Sequence, residues 1–128
     1  MKTIACVAAF VSFLPIAAAD VALTGNHETV TVDCATDPNV SIMGNHASVT
    51  LSGTCKKVSI SGNHATVVGS AAIVSITGNH NTAALVAVDL LSTPGNHNTA
   101  TWKKPIDAKL KAPKISNTGN KNTVTQAK

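Results

Sequence analysis

Apolar and polar residues alternate along this chain in short runs, and each run is interrupted by a glycine. Four residues before that glycine stand Val21, Val40, Val58, Val74, Leu91 and Ile115, and two before it stand Leu23, Ile42, Ile60, Ile76, Thr93 and Asn117. Five residues beyond it come Val30, Val49, Val67, Ala83, Ala100 and Val124. The positions between are mostly hydroxyl residues: Ser41, Ser59, Ser61, Ser75 and Thr77 before the corner, Thr29, Thr66 and Thr82 after it. A period of two is the signature of strands with one face in a core and one in water. Each unit therefore predicts two short strands joined at a glycine corner.

Aligned on that glycine, the units read "VALTGNHETVTV", "VSIMGNHASVTL", "VSISGNHATVVG", "VSITGNHNTAAL", "LLSTPGNHNTAT" and "KISNTGNKNTVTQ". Successive glycines are 19, 18, 16, 17 and 24 residues apart, a period at which repeats stack as solenoid coils. The long last interval contains "KKPIDAKLKAPK" and predicts a loop excursion over about 103–114. We expect an all-β, single-domain, right-handed β-solenoid. Gly-Asn also marks the tight turns of antiparallel hairpins, but alternate hairpin turns lie at opposite ends of a sheet and have no reason to share a sequence.

A single coil cannot bury its own apolar face, whereas coils stacked at about 4.8 Å pair backbone to backbone and merge their apolar columns. The shared corner consists of Gly25, Asn26, Gly44, Asn45, Gly62, Asn63, Gly78, Asn79, Gly95, Asn96, Gly119 and Asn120. Glycine is expected to supply the left-handed or otherwise strained backbone of that corner, and Asn and His are among the few other residues that tolerate positive φ. The asparagines are expected to stack as an amide ladder.

Residues 1–19 alter the compartment. Lys2, the apolar run "IACVAAFVSFLPIAAA" and the small Ala17 and Ala19 read as a secretory signal peptide cleaved before Asp20. The run is too short for a membrane span, so no transmembrane segment is expected after Asp20. Cys6 leaves with the leader, and Cys34 and Cys55 remain in an oxidising compartment, where a disulfide is the natural pairing. Such a bond would stabilise the fold by ~3 kcal/mol in the chain-entropy model. A thiol redox pair is disfavoured because no Cys-x-x-Cys spacing is present.

The formal net charge is +4, and Lys103, Lys104, Lys109 and Lys111 crowd into "WKKPIDAKLK". Arginine is absent and Trp102 is the only aromatic residue after Asp20, so nucleic acid is not an expected partner: bidentate forks and stacking platforms are missing.

The phrases "CKKVSISGNHATV", "VSITGNHNTA" and "APKISNTGNKNTVTQ" resemble a family of small secreted bacterial proteins known only as a domain of unknown function, DUF3060. The resemblance runs over nearly all of the chain after Asp20. It implies a periplasmic or secreted all-β protein and brings no activity, cofactor or catalytic residue with it. This chain departs from the family's Asn-rich motif by placing His where Asn is frequent.

His27, His46, His64, His80 and His97 all occupy the second position after the corner glycine, with Lys121 in the sixth unit. In-register stacking would align them as a file. Two readings stand side by side: a corner residue tolerant of positive φ, or an incomplete metal site in which two rings share one Zn²⁺ or Cu²⁺. Outward Thr-x-Thr pairs such as Thr29 with Thr31 and Thr99 with Thr101 suggest an ice-binding lattice, but Val68 and Ala84 interrupt it. Catalysis on polysaccharides wants paired carboxylates, whereas Asp20, Glu28, Asp33, Asp37, Asp89 and Asp107 fall at unrelated places in their repeats. We therefore expect no catalytic residue and no resident cofactor. The expected role is structural or interactive at the bacterial envelope, with an envelope protein or glycan as partner and a metal-binding protein as the alternative.

Overall fold

The computed structural model describes residues 20–128, so the expected leader lies outside the described residues. Nine strands form, with no helix among the described residues. Strands that precede a corner are β1 (Asp20–Leu23), β3 (Asn39–Ile42), the later parts of β4 (Ser48–Ile60), β5 (Thr66–Ile76) and β6 (Thr82–Ser92), and β8 (Lys114–Ser116). Those that follow a corner are β2 (Thr29–Asp33), the early parts of β4, β5 and β6, then β7 (Thr99–Lys104) and β9 (Thr123–Gln126).

Every strand pairing is parallel, and each register joins equivalent positions of neighbouring repeats: Val21 to Val40, Val40 to Val58, Val58 to Val74, Val74 to Leu91 and Leu91 to Ile115. The chain is a β-solenoid. Its six corners bound about five turns, and the sandwich alternative is excluded because hairpins pair antiparallel. Register shifts between Thr50 and Thr54 and between Gly69 and Ser70 absorb the unequal repeat lengths on the side away from the corner.

The three predicted columns form the core, and in the middle coils they are sealed: Val58, Ile60, Val67, Val74, Ile76 and Leu91 are each 0 % exposed. At the ends they open. Val21, Val30 and Val124 are half-buried and Ile115 is 40 % exposed, because each has a neighbouring coil on one side only. A further interior column, Cys55, Ala71 and Val88, comes from the third side of the coil. Period-two reading missed it because the register shifts precede it. Cys34 and Cys55 form the expected disulfide, 21 residues apart, between adjacent coils. The loop after β7 turns back along the flank, where Asp89 Oδ1 accepts the backbone N–H groups of Ile106 at 2.7 Å and Asp107 at 2.9 Å.

Of the residues expected to share the left-handed backbone of the corner, histidine takes it and glycine does not. None of the six corner glycines has positive φ; instead His27, His46, His64, His80, His97 and Lys121 do, with φ between 53° and 60°. The glycines are required for space. A Cβ on Gly44 would strike the carbonyl oxygen of Gly25, and one on Gly62 that of Gly44; the same contact recurs at Gly78, Gly95 and Gly119. At Gly25, where no coil lies below, a Cβ would meet only the movable Glu28 side chain.

The two environments predict opposite outcomes for one substitution. Gly62→Ala forces apart two backbones held together by flanking ladders and should cost about 1–3 kcal/mol, whereas Gly25→Ala should stay within about 0.5 kcal/mol of wild type. Thermal melts of the two variants check this, and equal losses would contradict the spatial role of the glycines.

Candidate functional site

The corner places two files of side chains next to each other on the surface. Asn26, Asn45, Asn63, Asn79, Asn96 and Asn120 form the expected ladder: Asn26 Oδ1 accepts the backbone N–H of Asn45 at 3.0 Å and its Nδ2 at 3.2 Å, and Asn45 and Asn63 repeat the pattern toward Asn63 and Asn79. Asn96 Nδ2 reaches Asn79 Oδ1 at 3.1 Å, and Asn120 N reaches Asn96 Oδ1 at 3.2 Å. The carbonyls of Asn45, Asn63, Asn79, Asn96 and Asn120 each accept the N–H of the histidine in the preceding coil, at 2.9–3.1 Å. These bonds lie at the surface, so water can replace them.

The left-handed φ of each histidine turns its side chain out beside the amides. All five imidazoles are exposed. Their ring centroids follow one another at 4.8, 4.9, 5.1 and 4.8 Å, with planes within 5° for the first three pairs and 15° for the last. A shallow trough runs between the two files from Asn26 and His27 to Asn79 and His80. Each ladder amide has two N–H donors, and Asn45, Asn63 and Asn79 each use one on the preceding coil. The trough therefore offers repeated amide and imidazole groups along a straight line.

An ion bound at ~2.0–2.1 Å by one nitrogen from each of two rings needs those nitrogens within ~4.2 Å of each other. Parallel rings at 4.8–5.1 Å keep equivalent nitrogens farther apart than that. Chelation through equivalent nitrogens of neighbouring rings among His27, His46, His64, His80 and His97 thus requires one ring of a pair to leave the stack. Among the described residues, no three His, Cys, Asp or Glu side chains converge as a ready-made metal cage.

A second, inner asparagine ladder lies behind the first, and sequence reasoning missed it. Asn81 and Asn98 are each 1 % exposed. Asn81 Oδ1 accepts Ala65 N at 2.8 Å while its Nδ2 donates to Gly62 O at 2.9 Å; Asn98 does the same for Asn81 N and Gly78 O, at 2.9 Å each. Asn122 Oδ1 accepts Asn98 N at 2.8 Å, and its Nδ2 donates to Gly95 O at 2.7 Å. The signal was present as Gly-Asn-x-Asn in the last three units, where earlier units carry Glu28, Ala47 and Ala65. Of the acids, Asp89 caps backbone N–H groups of the loop that contains Asp107, and Asp20, Glu28, Asp33 and Asp37 belong to the first coil.

Together these features define a parallel β-solenoid that carries an exposed imidazole file on an amide-laddered corner. Residues 42–84 match the model of a family described as "Protein of unknown function (DUF3060)". The match covers the corners at Gly44, Gly62 and Gly78, a shorter stretch than the resemblance read from the sequence. No curated protein and no solved structure matches the chain. No helix among the described residues is long and apolar enough to cross a membrane.

The two ladders differ in what replaces a lost amide. Asn81→Ala leaves a buried N–H and a buried carbonyl without partners, at about 1–3 kcal/mol for each group, whereas Asn63→Ala exposes its partners to water and should cost less than about 1 kcal/mol. Urea or thermal unfolding of both variants checks the ranking, and a larger loss at Asn63 would refute it.

Proposed function

We propose that this protein is an exported, non-catalytic binding module whose recognition surface is the histidine–asparagine trough, and that its partner is a linear glycan of the bacterial envelope. The carrying observation is Lys121, which adopts φ 53° in the same corner that the five histidines adopt at 54–60°. The turn accepts a residue without an imidazole. Asn also enters the left-handed region more readily than most side chains. Backbone geometry alone therefore does not account for five histidines, and their own chemistry does: neutral imidazole both donates and accepts hydrogen bonds.

A straight trough of repeated polar groups suits an extended polymer with repeated hydroxyls and carbonyls better than a compact ligand, which needs an enclosing pocket. The rigid stack holds these groups in place before binding, which limits the ordering cost of association. The disulfide fits an oxidising compartment outside the cytosol. The alternative, a periplasmic metal-binding protein, is supported by the number of exposed imidazoles and requires rings to turn out of the stack.

The triple variant His46→Asn, His64→Asn, His80→Asn keeps a turn-compatible residue and removes the central imidazoles. Wild type should be retained on envelope glycan preparations in the presence of a chelator, and the variant should be retained about tenfold less. Retention unchanged by the three substitutions would sink the trough as the binding surface. Retention that depends on added Zn²⁺ or Cu²⁺, together with calorimetric binding lost in the variant, would establish the metal reading in its place, and selective capture of an envelope protein would shift the partner class.

A further inference from the structure

The two ends of the stack carry opposite charge. Residues 20–38 hold Asp20, Glu28, Asp33 and Asp37 and no lysine, while the last coil, residues 114–128, holds Lys114, Lys121 and Lys128 and no acidic side chain. Among the described residues both ends also leave strand edges unpaired. At the first coil β1 pairs only with β3 and β2 only with β4; at the last, β8 pairs only with β6 and β9 only with β7. The loop after β7 leaves the terminal coil uncovered, because Asp89 holds it along the flank. Half-buried Val21 and Val30 at one end, and Val124 with the exposed Ile115 at the other, are the last members of their core columns.

We propose that, with residues 1–19 removed as the proposed export implies, a second copy of this chain stacks head to tail on the first, the last described coil of one copy seating the coil that begins at Asp20 of the next in the register that joins coils within the chain. Extending the observed registers by one rung fixes which groups meet. On the pre-corner side the file Asp20, Asn39, Lys57, Ile73, Leu90, Lys114 continues into Asp20 of the next copy, so an ammonium and a carboxylate become cross-strand neighbours. Ile115 meets Val21 and Val124 meets Val30, which closes two of the three core columns, and in the third the polar Asn117 meets Leu23.

The corner repeats this complementarity. Each outer asparagine Oδ1 accepts bonds from the asparagine of the following coil, as Asn26 does from Asn45; in the junction Asn120 Oδ1 receives Asn26 of the next copy. In the inner ladder Asn81 N donates to Asn98 Oδ1 and Asn98 N to Asn122 Oδ1. The backbone N–H of Asn122 is next in line, and the residue one rung on is Glu28: one carboxylate oxygen takes the place of Asn98 Oδ1, which accepts Asn81 N, while the oxygen over Gly25 stands where Asn98 Nδ2 donates to Gly78 O, so Gly119 O gains no donor there. A carboxylate supplies the acceptor that Asn122 N requires.

Like ends repel and unlike ends attract, so the charge distribution selects head-to-tail over head-to-head pairing. Such a contact is heterologous and does not close on itself, so it propagates into filaments. Edge charges ordinarily block strand addition; here they block it between equal ends only.

The test uses the full chain produced in a secreting bacterial host and recovered as that host processes it. Wild type should self-associate in sedimentation velocity at about 0.1–1 mM protein in low salt and dissociate at about 0.5 M salt, where charges are screened within a few ångströms. Lys114→Glu alone and Asp20→Lys alone should each weaken association about tenfold or more. An equimolar mixture of the two variants should restore it, because the charge-reversed last coil of the Lys114→Glu copy then faces the charge-reversed first coil of the Asp20→Lys copy, while the opposite junction stays native. Zero-length carbodiimide coupling should join Lys114 to Asp20, a bond possible only between copies because five rungs of about 4.8 Å separate the two within one chain. A wild type that remains monomeric at about 1 mM in low salt, or a mixture no more associated than its components, overturns the proposal, as does association without the Lys114–Asp20 cross-link.

Discussion

The close approach of one corner backbone to the next is the constraint from which the rest of the molecule follows. Each corner from Gly44 onward lies so near the preceding glycine carbonyl that no Cβ fits between them. Given that approach, the coils stack at the spacing of a parallel ladder, and every position in the repeat comes to lie over its equivalent. Columns of Val, Ile and Leu seal into a core that no single coil could make. The same repetition lines up the amides and imidazoles whose chemistry the surface presents.

The division of labour within the corner is physical. Glycine provides space, histidine takes the left-handed backbone, the outer asparagine links coils at the surface, and in the later coils an inner asparagine satisfies buried backbone groups. Burial decides which of these roles matters most for stability. A buried donor left unpaired loses the full cost of desolvation, whereas an exposed one exchanges its partner for water. Exposed and buried side chains are thus separated within a few residues: the outer files face the solvent, and in the later coils the buried ladder holds the backbone behind them.

The ends of the stack obey the same rule with different consequences. A middle coil has neighbours above and below, so Val58 and Val74 are fully enclosed, while Ile115 at the end is 40 % exposed. The core itself turns polar toward the carboxyl end, where Thr93 donates its hydroxyl to Asn117 Oδ1 at 3.0 Å. Terminal coils of a linear array must either carry polar caps or accept another coil, and the acidic first coil and lysine-rich last coil give the two ends distinct characters.

Much of this was legible in the sequence because the repeat makes local pattern and global register the same thing. Val40, Val58 and Val74 share a position in their units, so period-two alternation and near-constant glycine spacing together specified the columns, the stacking and the outer ladder. The Cys34–Cys55 pairing was legible because only two cysteines lie within residues 20–128. What the tertiary structure alone decided depends on distances between coils. Glycine and histidine are both permissible at a tight turn, and only the proximity of the preceding coil's carbonyl assigns space to Gly62 and leaves positive φ to His64. The inner role of Asn81 required knowing that its side chain points into the stack, toward Gly62 O. The course of the loop after β7 was set by Asp89, a residue with no repeat partner to reveal it. A one-dimensional pattern specifies what recurs; contacts made once, or made through space between coils, have no period to be read.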